Sequence, residues 1–383
     1  MSLHLSQRAQ DVTPFLAMEV MEQAKELEAA GRDIIYLCLG EPDFATPAKI
    51  VAAARQAIAD GHTAYTHSLG LLELREEICR HYQRRYQVTV EPDQVIVSSG
   101  TSPLMLLLFA ALLDPGDELI LTNPGYACYA NFIRFNGGTP IEITTRAEQG
   151  FQPDPQDVRK ALSPRSRGLL INSPSNPAGS LMPTAWLEQL AALPVPVISD
   201  EIYHGLTYQG EERSILEFTD QAFVLGGFSK TYAMTGWRLG YLIAPKAAVR
   251  VLQSLHQNFL ICAGSFIQHA GIVALRDCHD DVKRMRQAYD ERRQYLVARL
   301  KDLGFIIHSE PVAAFYVFAD ARHLGHDSMA LAREILAETG VAVTPGIDFG
   351  SGGEGFLRFS YANSLERLQE ATDRLEQWLQ ERS

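Results

Sequence analysis

The feature that most constrains this chain is a train of seven short apolar segments between residues 95 and 244. Residues 95–99, 118–121, 140–144, 169–172, 195–199, 223–225 and 238–244 read as strands, several of them without polar alternation. A strand lacking alternation is one whose two faces are both covered, and helical patterns fill most of the intervals. This succession predicts an α/β fold whose large domain is a mostly parallel seven-stranded sheet sandwiched by helices. Punctuation agrees: Thr101-Ser102-Pro103 reads as an N-cap with proline in the first turn, and Asp114-Pro115-Gly116-Asp117 stops that helix.

After about residue 280 the rhythm changes. A charged helix over 281–302, strands at 305–308 and 315–318, a helix over 328–339, strands at 341–344 and 356–361 and a closing helix predict a smaller α+β domain over 281–383. The apolar segment 34–39, ending in Gly40-Glu41-Pro42-Asp43, predicts that residues 1–45 join the smaller unit, leaving 46–280 as the large domain.

Composition narrows the partners. The 34 basic and 46 acidic side chains leave a formal charge of −12, which argues against a nucleic-acid footprint but leaves room for a small basic pocket. The longest apolar run, 104–113, is far short of the roughly 18 residues a spanning helix needs, and the opening residues lack a signal peptide's apolar stretch. No membrane partner is expected. Five scattered cysteines without a C-x-x-C pair predict reduced thiols, a cytoplasmic location and no metal site.

Three predicted strands run straight into polar or reactive residues, and in open α/β sheets ligands sit at the carboxyl ends of strands. Residues 169–172 lead into Ser173-Pro174-Ser175-Asn176-Pro177-Ala178-Gly179, and 195–198 into Ser199-Asp200-Glu201-Ile202-Tyr203. Residues 223–225 lead into Gly226-Gly227-Phe228-Ser229-Lys230-Thr231. Lys230, flanked by Phe228 and Tyr232, is a candidate imine-forming amine or general base if desolvation lowers its pKa; the alternative is an ordinary solvated lysine. Ser229 and Arg238 with the glycine backbone suit a phosphate cradle. Asp200, after four apolar residues, is expected to be partly buried and to need a cation such as a protonated heterocyclic nitrogen; helix capping is its other use. Tyr203 can bond a phenolate-like oxygen, while Asn176 before a proline is by default a turn residue. An imine-forming lysine with an acidic pyridinium partner is the binding signature of pyridoxal phosphate.

These residues belong to a longer series. It comprises Leu39-Gly40-Glu41-Pro42-Asp43-Phe44, Tyr65-Thr66, Ser99-Gly100-Thr101, Asn123-Pro124-Gly125-Tyr126, the segments 173–179, 199–203 and 229–241, and Leu357-Arg358-Phe359-Ser360-Tyr361-Ala362. In this order and spacing the chain resembles class I/II aminotransferases of the aspartate aminotransferase superfamily, pyridoxal-phosphate enzymes of fold type I, over nearly its whole length.

The resemblance implies that Lys230 carries the cofactor as a Schiff base and Asp200 pairs with the pyridine nitrogen. Tyr203 and Asn176 would bond the phenolic oxygen, and Tyr126 would stack on the ring. Ser229, Arg238, Thr101, Ser102 and the Gly100 backbone would bind the phosphate at a helix N-terminus. Tyr65 would reach the phosphate of the neighbouring subunit of a homodimer. Arg358 would grip the substrate α-carboxylate, helped by Asn176 and the Gly40 backbone. Lys230, Asp200 and Tyr203 form the implied catalytic set.

The implied reaction is ping-pong transfer of an amino group between an L-amino acid, aspartate-like as a first guess, and a 2-oxo acid. A carbon–sulfur β-lyase on the same scaffold is the alternative. Gly227 departs from the serine or threonine phosphate ligand frequent at that place, and Ala178 from the commoner threonine. His67 and Ser68 stand where proline is frequent, and His67 reads as a surface-loop histidine. The loop at 226–231 lacks P-loop spacing, and a strand rather than a helix follows the glycine-rich 350–355, which argues against a dinucleotide fingerprint.

Overall fold

The computed structural model describes residues 3–382. Its main sheet consists of β1 (Val95–Ser98), β2 (Glu118–Asn123), β3 (Thr139–Thr144), β4 (Ser166–Asn172), β5 (Val197–Asp200), β6 (Phe223–Gly227) and β7 (Gly240–Ile243). They lie in the order β1-β7-β6-β5-β4-β2-β3. Only β7 runs antiparallel to its neighbours; the remaining adjacent pairs are parallel. Each strand falls on a segment predicted as one, its ends shifted by a few residues.

The uninterrupted apolar character has its reason in the two faces. Alternate side chains point to opposite sides of a strand. Val97, Ile171, Val197, Val224 and Ile243 pack with Ile50, Leu74 and Ile78 on one side. Ile96, Leu170, Ile198, Leu225 and Leu242 pack with Leu104, Leu108 and Phe109 on the other. Burying each such side chain contributes about 1.5–3 kcal/mol, so neither face tolerates a solvated residue cheaply.

Leu104, Leu108 and Phe109 belong to the helix Thr101–Leu112, whose N-cap is Gly100. The expected hydroxyl cap is therefore corrected. Thr101 and Ser102 lie within the first turn, no side chain caps it, and both residues line the cavity described below.

Toward the C-terminus, Tyr316–Asp320, Phe356–Ser360 and Thr344–Pro345 form an antiparallel sheet with Phe356–Ser360 in the middle. Val341–Ala342 pairs instead with Ile35–Tyr36, so the segment expected as one strand at 341–344 serves two sheets. The strand expected at 305–308 is reduced to a single bridge between Ile306 and Asp320. Ile306 stays 51% exposed there, so alternation buries too little to hold a longer ladder. Ile35 and Leu37 pack among Tyr289, Phe315, Leu357 and Leu368, which fixes the position of Gly40 and Glu41 just beyond. All five cysteines are free thiols. No helix among the described residues is long and apolar enough to cross a membrane.

Candidate active site

β4, β5 and β6 are adjacent in the sheet, and their carboxyl ends deliver Asn172, Asp200 and the Ser229-Lys230 loop to one cavity of about 460 Å³. This is where an open parallel sheet leaves room between diverging loops.

Lys230 Nζ donates to the Gly40 carbonyl at 2.6 Å. Burial of the amine pulls its pKa down to about 8, Arg358 and Arg238 push the same way, and Glu41 and Asp200 oppose them. In the cofactor-free chain, imine formation with added pyridoxal phosphate should therefore rise with pH until about 8 and then level off, since only the free amine attacks. Stopped-flow absorbance reads this directly; a rate still climbing toward the ~10.4 of an ordinary lysine would contradict it.

Asp200 Oδ2 accepts from the Tyr129 hydroxyl at 2.7 Å and Oδ1 from the Ile202 N–H at 3.2 Å. Burial raises its pKa, against the pull of those two bonds and of Lys230 and His204. A carboxylate so placed gains from a cation seated before it.

At the other end of the cavity lies the N-terminus of Thr101–Leu112. Gly100 has φ +101°, and a Cβ there would stand 2.7 Å from Arg238 Nη2, so glycine is required both for conformation and for the approach of the guanidinium. Arg238 itself sits at φ 54°, a left-handed conformation costly for a non-glycine residue. Its Nη1 donates to the Thr235 carbonyl at 3.0 Å. Thr101, Ser102, Ser229 and Arg238 line the same cavity, so hydroxyls, a guanidinium and a helix dipole converge where an anion would be held.

Arg358, only 2% exposed, comes from the C-terminal sheet. Nη1 donates to Asn176 Oδ1 at 2.8 Å, and Nη2 to the Cys38 carbonyl at 2.8 Å and Thr344 Oγ1 at 3.1 Å. Its guanidinium lies 4.3 Å from the Tyr316 ring centre, and Nε has no partner. Every acceptor is neutral. A buried cation held only by neutral groups is poised for a carboxylate.

The remaining predicted residues divide. Tyr126, Tyr203, Asn176 and Gly40 line the cavity. Tyr203 shares a 2.8 Å hydrogen bond with Tyr316, and Asn176 is oriented by its N–H donating to Asn172 Oδ1 at 2.7 Å. Tyr65, 80% exposed, lies outside. His67 is exposed, and its Nδ1 accepts from the Leu69 N–H at 3.2 Å, a turn contact. Gly227 stands on the Asp200 face of the sheet, and a Cβ there would meet Cδ1 of Ile202, which lines the cavity, at 2.8 Å.

Sequence reasoning missed Tyr129, Asn172, Tyr316 and the wall formed by Phe15, Ala17 and Met18. Tyr129 carried a signal, since Tyr126 three residues earlier puts both rings on one side of a turn, 5.1 Å apart and edge to face. Tyr316, inside an aromatic strand, reads as ordinary core. The wall is anchored by Asp348, whose Oδ1 and Oδ2 accept from the Leu16 and Ala17 N–H groups at 2.7 and 3.2 Å.

Pyridoxal phosphate fits this donor set. The site offers an amine of lowered pKa, a buried carboxylate for a pyridinium, a glycine-backed cradle for a phosphate and, for the substrate, a guanidinium whose hydrogen-bond partners are all neutral.

Comparison with known proteins bears on the same point. Residues 32–375 match the family described as aminotransferase class I and II. The aspartate/prephenate aminotransferase of Thermus thermophilus is 39% identical over 378 residues, spanning 97% of each chain. The (5-formylfuran-3-yl)methyl phosphate transaminase of Methanocaldococcus jannaschii is 37% identical over 380 residues, spanning 98% of this chain and 99% of that one. The solved structure of the Thermus thermophilus aspartate aminotransferase with maleate superposes with a TM-score of 0.94 at 38% identity, covering 98% of this chain and all of the other.

Proposed function

Since the chain belongs to the class I and II aminotransferases, enzymes dependent on pyridoxal phosphate, we propose that Lys230, Asp200, Arg238 and Arg358 carry its transamination. The observation behind these roles is the meeting, in one cavity, of a desolvated amine, a buried carboxylate and a buried guanidinium with a free Nε.

Pyridoxal phosphate, when bound, supplies a conjugated ring that withdraws electrons from the bond to the substrate α-hydrogen. Arg238, Ser229, Thr101, Ser102 and the Gly100 backbone would hold its phosphate, Tyr203 and Asn176 its phenolic oxygen, and Tyr126 a ring face. Asp200, oriented by Tyr129, keeps a proton on the ring nitrogen. Arg358 binds the α-carboxylate and so sets which Cα bond faces Lys230. Lys230 Nζ would take the proton from the substrate α-carbon as general base and deliver it as general acid to the cofactor carbon that accepts the amino group.

An aspartate-like donor is the first reading, supported by the relative named for aspartate and prephenate and by the neighbour solved with maleate. A second reading, a donor with an apolar side chain, is favoured by the wall itself. Phe15, Ala17, Met18 and Leu39 line it, Glu41 adds an acid, and Lys230, Arg238 and Arg358 are its only lysine or arginine residues among the described ones. Mixing the holoenzyme with single amino acids and following the loss of its visible band ranks the donors. Aspartate faster than leucine and phenylalanine supports the first reading, and the reverse order the second. A band that no L-amino acid bleaches, or that no 2-oxo acid restores, defeats transamination in these roles.

We also propose a cytoplasmic homodimer in which Tyr65 completes the phosphate site of the second copy. Tyr65 is exposed, and its loop is tied to the helix Lys246–Phe259 by Gln253 and Gln257, both donating to Ser68 Oγ. Val251, Phe259 and Ile261 on and just beyond that helix are exposed as well, apolar groups that a second copy would cover. Tyr65→Ala should weaken cofactor retention by roughly 10–100-fold, the worth of a charge-assisted hydrogen bond. Mixing that variant with Lys230→Ala after dissociation should restore about a quarter of native activity, because one site in each mixed dimer is intact. A monomer by light scattering, or no restoration, would count against it.

A further inference from the structure

Asp200 and Glu201 are consecutive, and the alternation of the strand sends them to opposite faces of the sheet. Glu201 still belongs to the ladder, its N–H donating to the Leu225 carbonyl at 2.9 Å. Its side chain faces a second cavity, of about 420 Å³, whose floor is the back of the lysine loop at Gly227, Phe228 and Thr231. The walls are aromatic, from Tyr82, Tyr86 and Tyr241, and the lining is rich in basic groups.

The charges do not cancel there. Arg84 is paired with Glu77 at 2.8 Å, and Arg85 with Glu212 at 2.6 Å. Glu212 is fully engaged: it also accepts from the Gly205 N–H, from Thr207 and from Tyr86. The nearby Asp281 is taken by Arg284. Lys283 and Arg286, on the helix His279–Asp302, line the cavity with no acidic partner among the described residues.

Two groups on the cavity lining are shifted from their ordinary titration. His81 is pushed down to about 3 by burial and by Arg85 and Arg84 beside it. Glu201 spends Oε1 on Ser199, Ser214 and the Ile215 N–H, each at 3.0 Å, and leaves Oε2 buried without a hydrogen bond. Burial raises the pKa of this carboxyl, against the pull of its three donors and of His204, whose Nδ1 lies 3.5 Å from Oε2.

We propose that this cavity is a second ligand site, taking a small planar organic oxyanion, a carboxylate or phosphate ester on an aromatic body. The charge would lie against Lys283, Arg286 and His81, and the ring against Tyr82 and Tyr86. A cavity of this volume suits such a molecule. Its floor is shared with the lysine loop, so the ligand sits one backbone layer behind the chemistry.

The test uses the holoenzyme, whose cofactor phosphate site is filled, titrated by calorimetry with benzoate, phenyl phosphate and inorganic phosphate. One of the aromatic anions should bind at one per chain, and the doubly substituted Lys283→Ala/Arg286→Ala should bind it at least about tenfold more weakly, as expected on losing two charged contacts. Both side chains are exposed, so the fold is not at risk. Binding should survive Arg358→Leu, which removes the substrate carboxylate's partner. The His81 ring signal should titrate at higher pH once the anion is bound. The ratio of benzoate to phenyl phosphate affinity tells which oxyanion the site takes. Binding lost with Arg358→Leu, or indifferent to the double substitution, overturns the site. Inorganic phosphate binding as tightly as either aromatic anion overturns the planar body.

Discussion

Lys230→Ala is expected to lower transamination by about ten-thousand-fold, the upper range for removing a positioned proton carrier. Among the described residues no other amine lines the cavity, and Lys230 is set against Gly40 by a 2.6 Å bond, so none of them can take its place. Cofactor and amino acid should still bind, because the phosphate cradle and Arg358 are untouched. Rate and affinity therefore separate. Added small primary amines should recover part of the turnover, since what is missing is an amine at a known place. Activity within tenfold of native would remove Lys230 from the mechanism.

Asp200→Ala carries the second large effect, a loss of about 10²–10³ in kcat with little change in KM. The carboxylate acts on charge that develops after binding, so its removal affects the transition state more than the ground state. Stability is followed alongside, because the substitution removes a buried carboxylate but leaves the Tyr129 hydroxyl and the Ile202 N–H without their acceptor. Tyr129→Phe offers the contrast. The hydroxyl only orients Asp200 Oδ2, and a loss of about tenfold, the worth of one hydrogen bond, is expected. Steady-state kinetics on the three variants with circular dichroism as the folding control decides it; turnover unchanged in Asp200→Ala would refute the pairing.

Much of this site was legible because its parts sit where a simple pattern breaks. Asn176, Asp200 and Lys230 each follow an apolar strand, and the sheet brings those strands side by side. Both-sided burial left the interior strands unmistakable even where helix and strand propensities are close, whereas the edge strand Thr139–Thr144 is largely exposed. The short strands near residues 306 and 342 were harder, since pairing there depends on a distant segment rather than on local alternation. Arg358 came from family resemblance alone. Nothing within its own strand, between Leu357 and Phe359, tells that its guanidinium ends among neutral acceptors. Tyr316 and the Asp348 anchor were invisible for the same reason: their partners lie more than a hundred residues away.

That anchor has an evolutionary consequence. The reacting groups come from strand ends woven into the sheet, where a shifted backbone disturbs many neighbours at once. The wall at Phe15, Ala17 and Met18 comes from a segment fastened at its helix start to Asp348. Mutations in that segment can reshape what the pocket admits while leaving the proton-transfer apparatus intact. A lineage built this way can drift between substrates without passing through an inactive ancestor.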